Sequence, residues 1–296
     1  MGQLANVGAA GRTATRRRVA HGRVRWGAIA LYGALIGLSV VFLLPFALLL
    51  SIALKTLGEI SAYPIHWIPQ PPQWVNFRDA VTLIDFGRFA WNSLFLSALF
   101  AVLSTVTSAL VGFGFARLHG RAKDALFVLM LATTMLPPII TLIPTYILFA
   151  RIGLVYTYWP WVLWGLGANA FFSFLFRQFF AGIPLDLEDA AIVDGCGYAR
   201  IFWQLFLPLS KPVVATVAIF AFQSVWNDFL APAIFLDQSN TTLAVAISQG
   251  YTHAGAGVLR NLVSAGTVLY TLPVLVLFFL AQRYFVQGIV TTGLKG

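Results

Sequence analysis

Charge is what this sequence has least of. Only 10% of its 296 residues are charged, against 59% hydrophobic and 26 phenylalanines, where a soluble domain carries about 25% charged residues. Folded in water, such a chain has too little polar surface to cover itself, which leaves an integral membrane protein. Cysteine is nearly absent: Cys196 stands alone, excluding an intrachain disulfide and a cysteine metal cluster. The histidines His21, His66, His119 and His253 are scattered and give no ligand spacing. No Gly-rich loop ending in Gly-Lys-Ser/Thr occurs, so nothing points to ATP, or any other cofactor, bound by this chain. Acids are scarce too, 10 against 19 Lys plus Arg. In a soluble protein that excess would raise the question of nucleic acid; in a membrane protein basic residues collect on the cytoplasmic side, and no nucleic-acid partner is expected.

What is present is apolar runs. Roughly 30 Å of hydrocarbon at about 1.5 Å per helical residue requires about 20 residues per span. Six such runs occur, at 28–54, 91–115, 125–149, 159–180, 213–236 and 263–285. They predict an all-α polytopic protein: a tail over 1–27, a six-helix domain over 28–296, an outer loop over 55–90 and a terminal tail over 286–296. Residues 1–25 hold Arg12, Arg16, Arg17, Arg18, Arg23 and Arg25 and no acid, and read as a cytoplasmic orientation signal. With that end inside, Arg117, Arg121, Lys123, Arg177, Arg200, Lys211, Arg283 and Lys295 also fall inside, leaving only Lys55, Arg78, Arg88, Arg151 and Arg260 outside. The bias fits the positive-inside rule with both termini cytoplasmic. Pro64, Pro69, Pro71 and Pro72 interrupt any helix in the outer loop, while Trp67 and Trp74 suit packing on a membrane face or a partner. No internal repeat and no paired broken helices of an inverted-repeat transporter are visible.

Between the fourth and fifth runs lies a polar loop, 181–212. Asp186 is placed to cap a short helix with Asp189 in the reciprocal position, and Asp186, Glu188 and Asp189 lie at its positive end. Gly195 is placed to end it in a left-handed turn. A second short helix is expected over Tyr198–Phe206, stopped by Pro208, with Pro212 opening the next span. Two readings of this hairpin stand side by side: a knob lodged in another protein's groove, or an amphipathic hairpin on lipid with Arg200 and Lys211 against anionic headgroups.

Asp189-Ala190-Ala191, then Asp194-Gly195, then Leu205-Phe206-Leu207-Pro208 resembles the EAA loop of bacterial ATP-binding-cassette importer permeases. Ser51 to Glu59 with Trp67-Ile68-Pro69, the pair Asn92-Ser93, Leu136-Pro137-Pro138, Trp226-Asn227-Asp228-Phe229 and Arg283 to Gly288 look like the sugar branch, of the maltose-permease second-subunit kind. The resemblance implies a type I importer permease in a bacterial inner membrane. It implies a second permease as heterodimer partner, two ATPase copies that bind ATP and Mg, and an extracytoplasmic solute-binding protein. Glu188, Asp189, Ala190, Ala191, Asp194, Gly195, Leu207 and Pro208 would then form the coupling loop in an ATPase cleft, and Gln287 and Gly288 would reach toward the same subunit. Asp189 stands where the family usually has Glu, and Cys196 where it usually has Ala. The shorter acid keeps the charge but not the reach, so the acidic contact falls to Asp189 or to Glu188.

Polar groups inside a span are costly and face a cavity or a partner. Gln223, Ser224, Asn227 and Asp228 make two i, i+4 pairs on one face, beside Trp226, whose ring is of a kind that stacks on sugars. Thr134, Thr141 and Thr145 form a stripe on the proline-rich third span, Asn169 and Ser173 on the fourth, and Ser264, Thr267 and Thr271 on the sixth. Together they could line a path for an uncharged, hydroxyl-rich solute; the competing reading is that the hydroxyls only bridge helices. The leading function is therefore a permease subunit of an ATP-driven carbohydrate importer, without catalytic residues of its own. The alternatives are a stand-alone secondary transporter or channel using Asp228, and a scaffold without transport.

Overall fold

The computed structural model describes residues 26–253 and 257–293; the arginine-rich tail lies outside them. The chain divides into two compact units, Met1–Ala47 and Leu48–Gly296, and the first consists, among the described residues, of helix only. In order the helices are α1 (Trp26–Ala53), α2 (Leu57–Ile60), α3 (Val75–Leu83), α4 (Phe86–Arg117), α5 (Lys123–Ala132), α6 (Pro138–Arg151), α7 (Trp159–Leu166), α8 (Ala170–Ala181), α9 (Leu185–Val193), α10 (Tyr198–Ile201), α11 (Leu207–Leu209), α12 (Lys211–Trp226), α13 (Leu230–Phe235), α14 (Leu243–Gly250) and α15 (Arg260–Gly293). The one ladder among the described residues is a two-residue hairpin pairing Thr252 with Val258 and His253 with Gly257.

Among the described residues three helices, α1, α4 and α15, are long and apolar enough to cross a membrane unbroken, and counting each bent pair as one span brings the total to six. The predicted third span is not one rod. Its halves meet at 97°, because Pro137 and Pro138 push the preceding residues out of the helical region and remove two backbone donors. Thr134, on the first half, therefore does not share a stripe with Thr141 and Thr145 on α6. The fourth span parts at Gly167 and Ala168, the latter left-handed at φ 56°. The fifth parts at Asn227–Phe229, between α12 and α13. The sixth is longer than expected and takes in most of the supposed tail, running to Gly293. Outside the predicted spans and the polar loop, α2, α3 and α14 appear. α3 is tied to the end of α1 by Asn76, whose Nδ2 donates to the Ala53 and Lys55 carbonyls at 2.8 and 2.9 Å. The buried α14 has its first N–H received by Ser93 Oγ at 2.8 Å.

The hub of the second unit is α4, packed against α7, α8 and α12. Lipid tails are as apolar as leucine, so helix association here depends on close packing rather than on water exclusion. Accordingly Ser93, Ser97, Ala101, Ser104, Ser108 and Gly112 are buried along one face of α4. At Gly112 the crossing with α8 is tightest: an added Cβ would sit 2.5 Å from Phe176 Cβ and 2.9 Å from the Ser173 carbonyl. Ser173 is fully buried in that contact, so it packs between the helices rather than lining a path. Thr267 and Thr271 each donate to a carbonyl of their own helix.

Replacing Gly112 with Val should therefore lower the stability of the detergent-solubilised chain by about 1–3 kcal/mol. Gly114→Ala, where an added Cβ meets only Leu118 Cδ1 at 4.0 Å, should not lower it, since alanine is the better helix former. Thermal melts of the two variants provide the check; equal melting temperatures would refute the close crossing.

Candidate partner-docking loop and solute groove

The loop is built on a buried cation. Arg117 closes α4, and its Nη2 donates to the Phe180 carbonyl at 2.6 Å and also to that of Ile183, the first in the last turn of α8, where it also accepts the Ile183 N–H at 3.1 Å, and the second just beyond the helix. Its Nη1 lies 3.5 Å from Glu188 Oε2, with side chains 5% and 7% exposed. At that length the pair is a charge contact rather than a short hydrogen bond. The guanidinium also lies 4.9 Å from the Phe206 ring centroid. Around it Phe113, Phe180, Phe202 and Phe206 form one aromatic cluster, with Phe113 and Phe206 centroids 5.0 Å apart. One residue thus ties together α4, the end of α8, α9 and the second half of the loop.

Helix α9 starts earlier than its acids suggest. Pro184, extended at φ −56° and ψ 138°, is the N-cap without a side-chain bond, so Asp186 falls inside the first turn and the capping pair of Asp186 and Asp189 does not form. Glu188 is the one buried residue of α9. Asp189, Ala190, Ile192, Val193 and Asp194 point away from the bundle, and Val193 is 86% exposed. The question left by the two acids is thereby divided: Glu188 is spent inside this chain, and Asp189 is the acid on the free face. Gly195 is left-handed at φ 80°, with its N–H on the Ile192 carbonyl and the Cys196 N–H on that of Ala191, both at 2.9 Å.

Beyond the turn, α10 runs into a widened π turn over Phe202–Phe206. Leu207 N–H reaches back to the Phe202 carbonyl directly before Pro208, whose ring would clash with the carbonyl four residues earlier in a regular helix. The helix then continues through Pro208, which does not stop it; the 84° turn into α12 comes at Ser210. Pro212 opens α12 as expected.

A second feature lies away from the loop. Asn169, Gln223, Ser224, Asn227 and Asp228, drawn from two spans, line a groove of about 620 Å³ with Phe171, Phe172 and Phe220. Amides and hydroxyls facing aromatic rings can engage a polyhydroxylated molecule through hydrogen bonds and apolar ring faces. Asn169 caps α8 by accepting the Phe172 N–H at 3.1 Å, and Asp228 Oδ1 accepts the Ala231 N–H at 3.2 Å, fixing the break before α13. The three aromatic walls were not singled out from sequence, although Phe220, Ser224 and Asn227 fall at helical spacing. Trp226 is not free to stack on a solute: it is 2% exposed and lies between Phe222 and Tyr270, with centroids 5.6 and 5.3 Å away. Thr141 and Thr145 are not among the lining residues, and their hydroxyls donate within α6 at 2.9 and 2.6 Å. The side chains of Gln287 and Gly288 lie outside the described residues. Among the described residues no cluster of three or more His, Cys, Asp or Glu could hold a metal.

Residues 108–291 match the model of the family described as binding-protein-dependent transport system inner membrane component. The chain is 31% identical over 257 residues to the melibiose/raffinose/stachyose import permease protein MelC of Bacillus subtilis, covering 86% of this chain and 91% of that one. It is 32% identical to the lactose transport system permease protein LacG of Rhizobium radiobacter, covering 72% and 77%. A bacterial ABC transporter involved in importing the acidic polysaccharide alginate contains a chain of similar fold, at TM-score 0.74 and 20% identity, covering 90% of this chain and 99% of that one.

The left-handed turn gives a direct test of the loop. Space around Gly195 is open, so Gly195→Val meets only backbone strain, about 1–2 kcal/mol for a left-handed residue. Hydrogen exchange should show weaker protection of the α9 amides with that of α4 unaltered; unchanged α9 protection would contradict the conformation.

Proposed function

The chain belongs to the family of binding-protein-dependent transport system inner membrane components, and on that premise we propose that it is one permease subunit of an ATP-driven importer for a carbohydrate or similar polyhydroxylated solute. Both termini are cytoplasmic and the loop faces inward. Its partners are a second permease, two ATPase copies that hold ATP and Mg, and an external solute-binding protein. The observation that carries the reading is the division of labour on α9: Glu188 buried on Arg117 at 3.5 Å, and Asp189, Ala190, Ile192 and Val193 turned outward. A lipid-lying hairpin has no use for three exposed acids, Asp186, Asp189 and Asp194, at an anionic surface. A protein cleft with basic walls has.

In this reading the ATPase pair closes on ATP and carries α9 with it. The displacement passes through Glu188 and Arg117 to the end of α4 and the last carbonyls of α8, the two helices that cross most tightly at Gly112. The groove between α8 and α12 is half of a path completed by the partner permease, with Gln223 and Asn227 offering amides and Phe171, Phe172 and Phe220 flat apolar walls. Support for a neutral solute comes from the lining, whose single carboxylate, Asp228, already caps α13.

The complex copurified on this chain and placed in proteoliposomes should take up oligosaccharide only with ATP and the solute-binding protein. Asp228→Asn should retain at least about half of the uptake, since an amide oxygen still accepts the Ala231 N–H. Uptake that persists without ATP and collapses with a proton or sodium gradient would overturn the reading.

A further inference from the structure

The end of α4 nearest the polar loop carries a second recess. Val111, Gly114, Phe115 and Leu118 stand on one face of α4 at the spacing of a helical stripe. They face Ala122, Lys123 and Leu126 across a groove of about 410 Å³, closed at the turn by His119 and Gly120. The back wall is fixed: Phe115 and Phe127 rings lie 5.3 Å apart, the Arg177 guanidinium sits 4.1 Å from the Phe127 centroid, and Arg177 Nε donates to the Phe115 carbonyl at 3.4 Å. Apolar side chains dominate the walls, and the rim is basic, with Lys123 in the lining beside the imidazole of His119 and exposed Arg121 between them in sequence. The one acid within this turn is exposed Asp124.

We propose that this groove holds an anionic phospholipid, its acyl chain along Val111, Phe115, Leu118 and Leu126 and its phosphate at Lys123 and His119. The argument is charge complementarity joined to an apolar trough in a chain whose surroundings are lipid. Recesses with basic rims at the cytoplasmic ends of membrane helices suit such headgroups. A zwitterionic lipid offers the same chain but no net charge to the rim. The site lies beside Arg117, so an occupied groove braces α4 where the loop pulls on it. The proposal rests on the chain's place in the membrane and not on import, so its failure leaves the import reading standing, and the converse holds.

Full-length chain is placed in nanodiscs of equimolar phosphatidylglycerol and phosphatidylcholine, released, and its retained lipid identified by native mass spectrometry. Wild type should retain phosphatidylglycerol over phosphatidylcholine by roughly fivefold, the preference expected for one basic residue near the headgroup. Lys123→Glu should abolish the preference, and Leu126→Trp, which fills the groove from its exposed wall, should lose retention of both lipids. Equal retention by wild type, or an undiminished preference in Lys123→Glu, overturns the proposal and leaves the groove to a protein partner. Full retention by Leu126→Trp overturns it as well.

Discussion

A guanidinium can satisfy several acceptors at once, and Arg117 uses that capacity where four pieces of chain meet. Its surroundings are protein: its side chain is 5% exposed and that of Glu188 7%. In such surroundings an unpaired charge costs several kcal/mol, so neither group can leave the other cheaply. The consequence is mechanical. In the proposed importer, a force on α9 would be delivered to the ends of α4 and α8 rather than dissipated in a flexible connector, because the alternative is a buried carboxylate without its counter-ion. The aromatic cluster of Phe113, Phe180, Phe202 and Phe206 closes the same junction against water and extends the coupling to the helix that leads into α12.

Two further constraints follow from the membrane. Tight helix crossings there need small residues, which is why Ser93, Ser97, Ala101, Ser104, Ser108 and Gly112 make a buried stripe along α4. Breaks in spans leave backbone groups that must be met by protein or water, and the breaks found here are met locally. Asp228 takes the Ala231 N–H at one break and Asn169 the Phe172 N–H at another. Both capping residues also line the groove between α8 and α12, so polar groups that permit the helices to bend also make that groove hydrophilic.

The spans and the loop were legible in the sequence because each has a local signature: hydropathy for the first, and for the second Gly195, whose φ of 80° is what a residue without Cβ is suited to. The groove was partly legible, since Gln223, Ser224, Asn227 and Asp228 share a face by helical arithmetic alone. Their aromatic neighbours Phe171 and Phe172 come from another span, and no periodicity relates the two. Arg117 could be read only as one more positive charge on the loop side, because its partner Glu188 is remote in sequence and is brought to it by the α4 and α8 crossing. Trp226 shows the opposite failure: a residue type suited to sugar contact is used to stack α12 on α15 through Tyr270. α3 and α14 escaped because helices of nine and eight residues are too short to give a span signal.

The account turns on Arg117 acting through several contacts rather than as a mere charge. Lysine in its place keeps the charge but presents no planar fork to two carbonyls and a carboxylate. The decisive measurement is the ratio of solute imported to ATP hydrolysed by the reconstituted complex carrying Arg117→Lys. The account predicts a complex that still assembles and hydrolyses ATP while importing at least about tenfold less solute per ATP, the effect of losing about 1.4 kcal/mol of coupling. A ratio equal to wild type would contradict it.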